Sequence, residues 1–201
     1  VAEATSICFT FHMNQSASDG SLIETERLSL YLIAPHELIT LFEDPENLSI
    51  YAGKPFANPH RVLVTDSGPL PWRVPQVKED PSLNIWFVRW IVLKESGEII
   101  GSASFHGAPN EAGMIEIGLG IELAFQNEGY ATEALMGMWS WVLDQPSVQT
   151  LRYTVSASNK PSMRIIEKFG FKHMGQQMDE IDGPEEIFEM STTEFRTRNS
   201  L

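Results

Sequence analysis

With 201 residues, 42% hydrophobic and 20% charged, the chain is long and apolar enough for one globular domain with a sizeable core, which excludes a disordered polymer. The formal charge of −13 speaks against a nucleic-acid binder, which needs clustered Lys and Arg, and leaves two readings: a cationic partner or plain solubility. No apolar run reaches membrane-span length, no signal-peptide pattern is present, and the single Cys8 can form neither an internal disulfide nor a cysteine metal cluster. The expectation is a cytoplasmic protein with no membrane segment and no metal.

Residues 1–22 read as a flexible N-terminal tail, with Met13 a candidate natural start, and 23–201 as one domain. "ETERLSLYLI" alternates Leu28, Leu30 and Leu32 with polar positions and predicts a first strand. "APHELITLFED" predicts a helix with Pro35 in its first turn. From 53 to 83 the density of proline predicts a long loop region with short helical turns, in which Trp72 and Arg73 either face a substrate or pin the loop to the core. "NIWFVRWIVLKESGEIIGSASFHG" predicts a hairpin turning at Ser96-Gly97, followed by a third strand, "MIEIGLGIEL". After Gly129, apolar residues recur at helical spacing as far as Pro146. A strand, "TLRYTVSA", comes next, then a short helix capped by Asn159 or Lys160 and ended by Gly170. The chain closes with a hairpin turning near Asp182-Gly183, whose acidic run "DEIDGPEE" is either a solvated tip or a lure for a basic acceptor. This order predicts an α+β fold, a mostly antiparallel sheet with a strand-to-helix crossover at its centre.

The tight turn in "QNEGYATEAL" takes its meaning from the helix it opens. A helix that begins directly after a turn offers unpaired N–H groups and a positive dipole end, an anion site. Gly129 and the small Ala131 allow close backbone approach, while Gln126 and Thr132 can add side-chain hydrogen bonds. On the strand before it, Glu116 shares a face with Gly118 and Gly120. Either an extended ligand lies along that face with Glu116 as its acid-base group, or the strand bulges and Glu116 pairs with an arginine.

"EIGLGIELAFQNEGYATEAL", with "LRYTVSASNKPSMRIIEKFGF" after it, resembles the GNAT superfamily of acetyl-CoA-dependent N-acetyltransferases, and within it the ribosomal-protein N-terminal acetyltransferase branch, to whose opening strand "TERLSL" is similar. The resemblance covers residues 23–52 and 84–190. It implies a GNAT-like mixed sheet with splayed central strands flanked by helices. It further implies that Gln126, Asn127, Glu128, Gly129, Tyr130, Ala131 and Thr132 surround the pyrophosphate of acetyl-CoA. Leu119, Gly120 and Ile121 would pair with the pantetheine arm, and Asn159 would bond it from the other side. Two departures stand out: Asn127 and Glu128 replace basic or glycine residues common in the family, and Ile166 replaces a tyrosine seven residues after the asparagine. In the ribosomal-protein branch a serine takes that tyrosine's role, and Ser162 fills its position.

The activity so implied is acetyl transfer from acetyl-CoA to a primary amine on a cationic acceptor, such as a protein or peptide N-terminus, with Glu116 as base and Ser162 protonating the thiolate. His106 is an alternative base, or simply structural. Tyr130 is read as packing against or shielding the cofactor. The rivals are a small-molecule acetyltransferase for polyamines, amino sugars or amino acids, and a non-catalytic acyl-CoA-binding module. Many relatives dimerise, so a homodimer is a further expectation.

Overall fold

The computed structural model describes residues 19–179 and 183–201, so Cys8 and the tip of the last hairpin lie outside it. Among the described residues eight strands form one sheet: β1 (Leu22–Glu24), β2 (Leu28–Leu32), β3 (Arg89–Leu93), β4 (Glu98–Phe105), β5 (Met114–Ile121), β6 (Thr150–Val155), β7 (Lys172–Asp179) and β8 (Gly183–Ser191). They run in the order β1-β2-β3-β4-β5-β6-β8-β7. Every neighbouring pair is antiparallel except β5 and β6, which are joined by a crossover helix.

The helices are α1 (Pro35–Glu43), α2 (Leu70–Glu79), α3 (Tyr130–Val142), α4 (Lys160–Phe169) and α5 (Thr192–Asn199). All five residues of β3 are buried, because helices and loops cover both faces of the sheet. Ile91 and Leu93 enter the core beneath α3, while Trp90 and Val92 enter a second core beneath α1 and α2. The crossover helix α3 is shut in on all sides from Glu133 to Val142 rather than amphipathic, and it ends at Val142, short of Pro146.

Three elements differ from expectation. The first strand is a hairpin of β1 and β2, with Thr25 and Arg27 in its turn. The proline-rich segment contains a true helix, α2, of ten residues. Pro71 sits in its first turn, where no N–H is needed, and Pro75 is tolerated because Leu70, Arg73, Val74 and Val77 bury one face. The helix α5 is capped by Ser191, whose Oγ accepts from the Glu194 N–H at 3.1 Å, and it buries Phe195 completely.

The pairing of β5 positions the site. It joins β6 only over Met114↔Thr150, Ile115↔Leu151 and Glu116↔Arg152. Beyond Glu116 the strands part, while β5 stays paired to β4 as far as Ile121. The far half of β5 therefore has a free backbone edge facing a gap. No helix among the described residues is long and apolar enough to cross a membrane.

Candidate active site

The start of α3 borders that gap. Gly129 caps the helix with φ +85°, and Asn127 two residues earlier also has a positive φ, +65°. Only glycine holds the first conformation without strain; asparagine is among the few side chains that tolerate the second. Gln126 does not reach outward: its Nε2 donates to the Ile121 carbonyl at 2.8 Å and ties the turn to the end of β5.

Opposite, α4 begins at Asn159. Its Oδ1 accepts from the Ser162 N–H at 3.2 Å, so the asparagine acts first as a helix cap. Gly170 ends α4 with φ +77°.

Between these helix starts lies a cleft of about 480 Å³. It is lined by Leu119, Gly120 and Ile121 of β5, by Gln126, Asn127, Gly129, Tyr130, Ala131 and Thr132, and by Asn159 and Ser162. Glu128 alone of the expected cofactor residues is not on its wall; its backbone carbonyl accepts from Arg27 Nη1 at 3.0 Å. Arg164 and Lys168 also line the cleft, one turn apart on the face of α4 that carries Pro161. Their i, i+4 spacing behind the asparagine was a signal available in the sequence.

A second cleft, about 350 Å³, lies on the other side of β5 and shares Leu119, Gly120 and Ile121 with the first. Its floor is one face of the β4–β5 ladder: Ser102 opposite Gly120, Ser104 opposite Gly118 and, one pair beyond, His106 hydrogen-bonded to Glu116 through the backbone. Its wall is Val62, Leu63 and Pro69 from the proline-rich segment. Asp66 and Glu122 line it as acids, and among the described residues no Lys or Arg does. The two glycines thus leave open a volume that side chains would fill.

Glu116 lines neither cleft. Its Oε1 accepts a short hydrogen bond from Thr154 Oγ1 across the last residues before the strands part. The same oxygen lies 3.4 Å from His106 Nδ1. The imidazole leans over Gly118, where an added Cβ would come within 3.2 Å of Nε2. Glu116 therefore reaches the second cleft through His106. The ring is half exposed by area, yet packed atoms beneath it shed water, and this desolvation lowers its pKa. Glu116 opposes the shift, Arg73 adds to it, and Asp179 opposes it. At neutral pH the imidazole is uncharged and has a lone pair to offer. Arg73, buried on α2, has its pKa lowered by desolvation to about 10, with Glu116 opposing. Trp72 is half exposed, and neither it nor Arg73 lines either cleft.

Residues 27–172 match the acetyltransferase (GNAT) domain family. The chain belongs to the GNAT acetyltransferase family. Among curated GNAT proteins it is similar to the uncharacterized N-acetyltransferase YjdG of Bacillus subtilis (strain 168), 35% identical over 86 residues, 42% of this chain and 51% of that protein. The chain spans about half the length of the curated relatives it matches. Among solved structures, the ribosomal-protein-S5-alanine acetyltransferase of Vibrio fischeri aligns with TM-score 0.60 and 15% identity over 85% of this chain and 96% of that one. The microcin C7 self-immunity acetyltransferase, solved in complex with acetyl-CoA and AMP, aligns with TM-score 0.56 and 18% identity over 83% and 93%. At these identities the likeness is one of fold: the mixed α+β sheet is the GNAT fold.

Ile166, which stands where many relatives carry a tyrosine, is in the core. Ser162 lines the first cleft together with Tyr153 of β6, a residue not singled out from the sequence. Burial raises the Tyr153 pKa, and an interaction with the Ser162 side chain pulls it back. Tyr153 hides in a strand of alternating apolar residues, where its phenol reads as core.

Proposed function

We propose that this chain is an acetyl-CoA-dependent N-acetyltransferase acting on a primary amine, with a protein or peptide N-terminus as acceptor, as in the ribosomal-protein branch its sequence resembles. The observation that carries the reading is that both clefts share Leu119, Gly120 and Ile121. A donor lying along the free edge of β5 and an amine on its glycine face would meet across a single strand.

In this reading acetyl-CoA supplies an activated thioester acyl group. The N–H groups opening α3, with Arg164 and Lys168 opposite, hold its phosphates. The edge of β5 pairs with the pantetheine arm, and the side-chain amide of Asn159 reaches it from α4. His106 Nε2 takes the proton from the amine, while Glu116, fixed by Thr154 and 3.4 Å from Nδ1, steadies by its charge the imidazolium that results. The amine nitrogen bonds to the acyl carbon and the carbon–sulfur bond breaks. The sulfur leaves as a thiolate that accepts a hydrogen bond from Ser162, backed by Tyr153, and the proton His106 took from the amine, passed on through solvent, completes the thiol. The acids Asp66 and Glu122, with no Lys or Arg beside them among the described lining residues, favour a positively charged acceptor. An α-amino group, with pKa about 7.7–8.0, is far easier to deprotonate than a lysine at about 10.4.

The test is thiol release from acetyl-CoA with three acceptors: peptides with free N-termini, the same peptides N-acetylated but carrying lysine, and spermidine. Turnover confined to free N-termini is expected. A preference of tenfold or more for spermidine would move the acceptor to the polyamine class, and no release with any amine would remove the catalytic reading.

A further inference from the structure

The loop that opens α3 offers no cation: its side chains are Gln126, Asn127 and Glu128. A cation stands behind it instead. Arg27, in the β1–β2 turn, donates from Nε to Glu133 Oε2 at 2.7 Å and from Nη1 to the Glu128 carbonyl at 3.0 Å. Its guanidinium lies 4.4 Å from the centre of the Tyr130 ring. A Cβ built on Gly129 would stand 3.4 Å from Nη2, so the group lies directly against the helix cap.

These contacts act on the site in two ways. In a trans peptide the carbonyl and the next N–H point in opposite directions. Anchoring the Glu128 carbonyl on Arg27 turns the Gly129 N–H the other way, and Gly129 lines the cofactor-side cleft. Gly129, at the far end of the plane that is held, has a positive φ, as does Asn127, one residue before Glu128. The other effect concerns Glu133, a carboxylate in the first turn of α3 that would compete with a bound anion. It is drawn back onto the β1–β2 turn, accepting from the Arg27 N–H and from Thr25 Oγ1, each at 2.7 Å, besides the Arg27 Nε.

We propose that Arg27 is a positioning residue of the cofactor's phosphate site. It orients the Glu128–Gly129 peptide toward the ligand and neutralises Glu133, in place of the basic residues that this loop lacks. The proposal rests on the reading that the 480 Å³ cleft holds coenzyme A. Wild-type titration with coenzyme A tests that reading separately from the variants.

The experiment compares wild type with Arg27→Gln and Arg27→Lys, titrating each with coenzyme A and with pantetheine, which has no phosphate, and following amide exchange. For Arg27→Gln, a rise of tenfold or more in the coenzyme A Kd is expected, with the pantetheine Kd changed less than twofold. Faster amide exchange should be confined to residues 126–132. Arg27→Lys keeps the charge and the fold but cannot serve Glu128 and Glu133 together, so it should also lose at least fivefold for coenzyme A. Equal losses for coenzyme A and pantetheine would make Arg27 a residue of the fold alone and overturn the proposal. Wild-type coenzyme A affinity in either variant would overturn it as well.

Discussion

The two clefts on either side of β5 are built from different materials. The 480 Å³ cleft, the proposed cofactor site, is framed by backbone: the free edge of a strand, a left-handed glycine cap and two helix starts. The other cleft is framed by side chains arriving from β4, β5 and the segment around Val62–Pro69. Backbone sites tolerate side-chain change and fail when geometry changes; side-chain sites do the reverse. Mutations should therefore separate them.

The largest effect is expected at Gly129. Gly129→Glu forces a β-carbon into φ +85° against Arg27 and brings charge to the proposed phosphate site. Strain of this kind costs about 1–3 kcal/mol before any repulsion is counted. Coenzyme A binding should fall below detection by calorimetry in a chain that still folds by circular dichroism. Binding within threefold of wild type would break the contrast, because the glycine would then have no special duty.

Next comes the pair on the other side. His106→Gln should lower kcat by roughly 10²–10⁴, the range of general-base catalysis, with the acetyl-CoA Kd unchanged. Glu116→Gln should cost less, on the order of tenfold, because it removes the orienting carboxylate and leaves the base. If Glu116→Gln proves the more damaging of the two, the carboxylate itself is the base and His106 only shields it.

The pH profile sharpens the same point. Desolvation depresses the His106 pKa against the pull of Glu116 and Asp179, with Arg73 on the side of desolvation. The neutral, proton-accepting form therefore predominates above the ordinary histidine value near 6.5, and the acid limb of kcat/KM should lie below it. The sign for stability agrees: a histidine whose folded pKa is depressed binds fewer protons folded than unfolded, so stability falls as the pH drops below about 6.5. An acid limb above about 7 would contradict the assignment.

The smallest effects belong to Ser162 and Ile166. Ser162→Ala should lower kcat by about tenfold, the scale of one lost hydrogen bond at the leaving group, without altering coenzyme A affinity. Ile166→Tyr should restore nothing, since position 166 faces the core; overpacking there should cost about 1–3 kcal/mol in a denaturant melt.

The same contrast explains what the sequence alone makes legible. Gly129, the Asn159 cap and the alternation of β5 are local signals, since a turn, a cap and a strand face each require particular residues at fixed spacing. The parting of β5 and β6 followed from the family resemblance rather than from any residue. The second cleft was hidden because its wall, residues 62–69, is remote in the chain from the β4–β5 floor and lies in a segment whose prolines concealed α2. His106 was legible only as an alternative base or a structural residue until the register placed it opposite Glu116. Arg27 was invisible for the same reason, its contacts lying 101 to 106 residues downstream.

Amide chemical-shift mapping with coenzyme A tests the central claim most directly. The largest shifts are expected on residues 119–121 and 126–132 and at the start of α4, with His106 and the 62–69 wall little changed. Shifts centred on the 62–69 wall, or none at saturating coenzyme A, would contradict it.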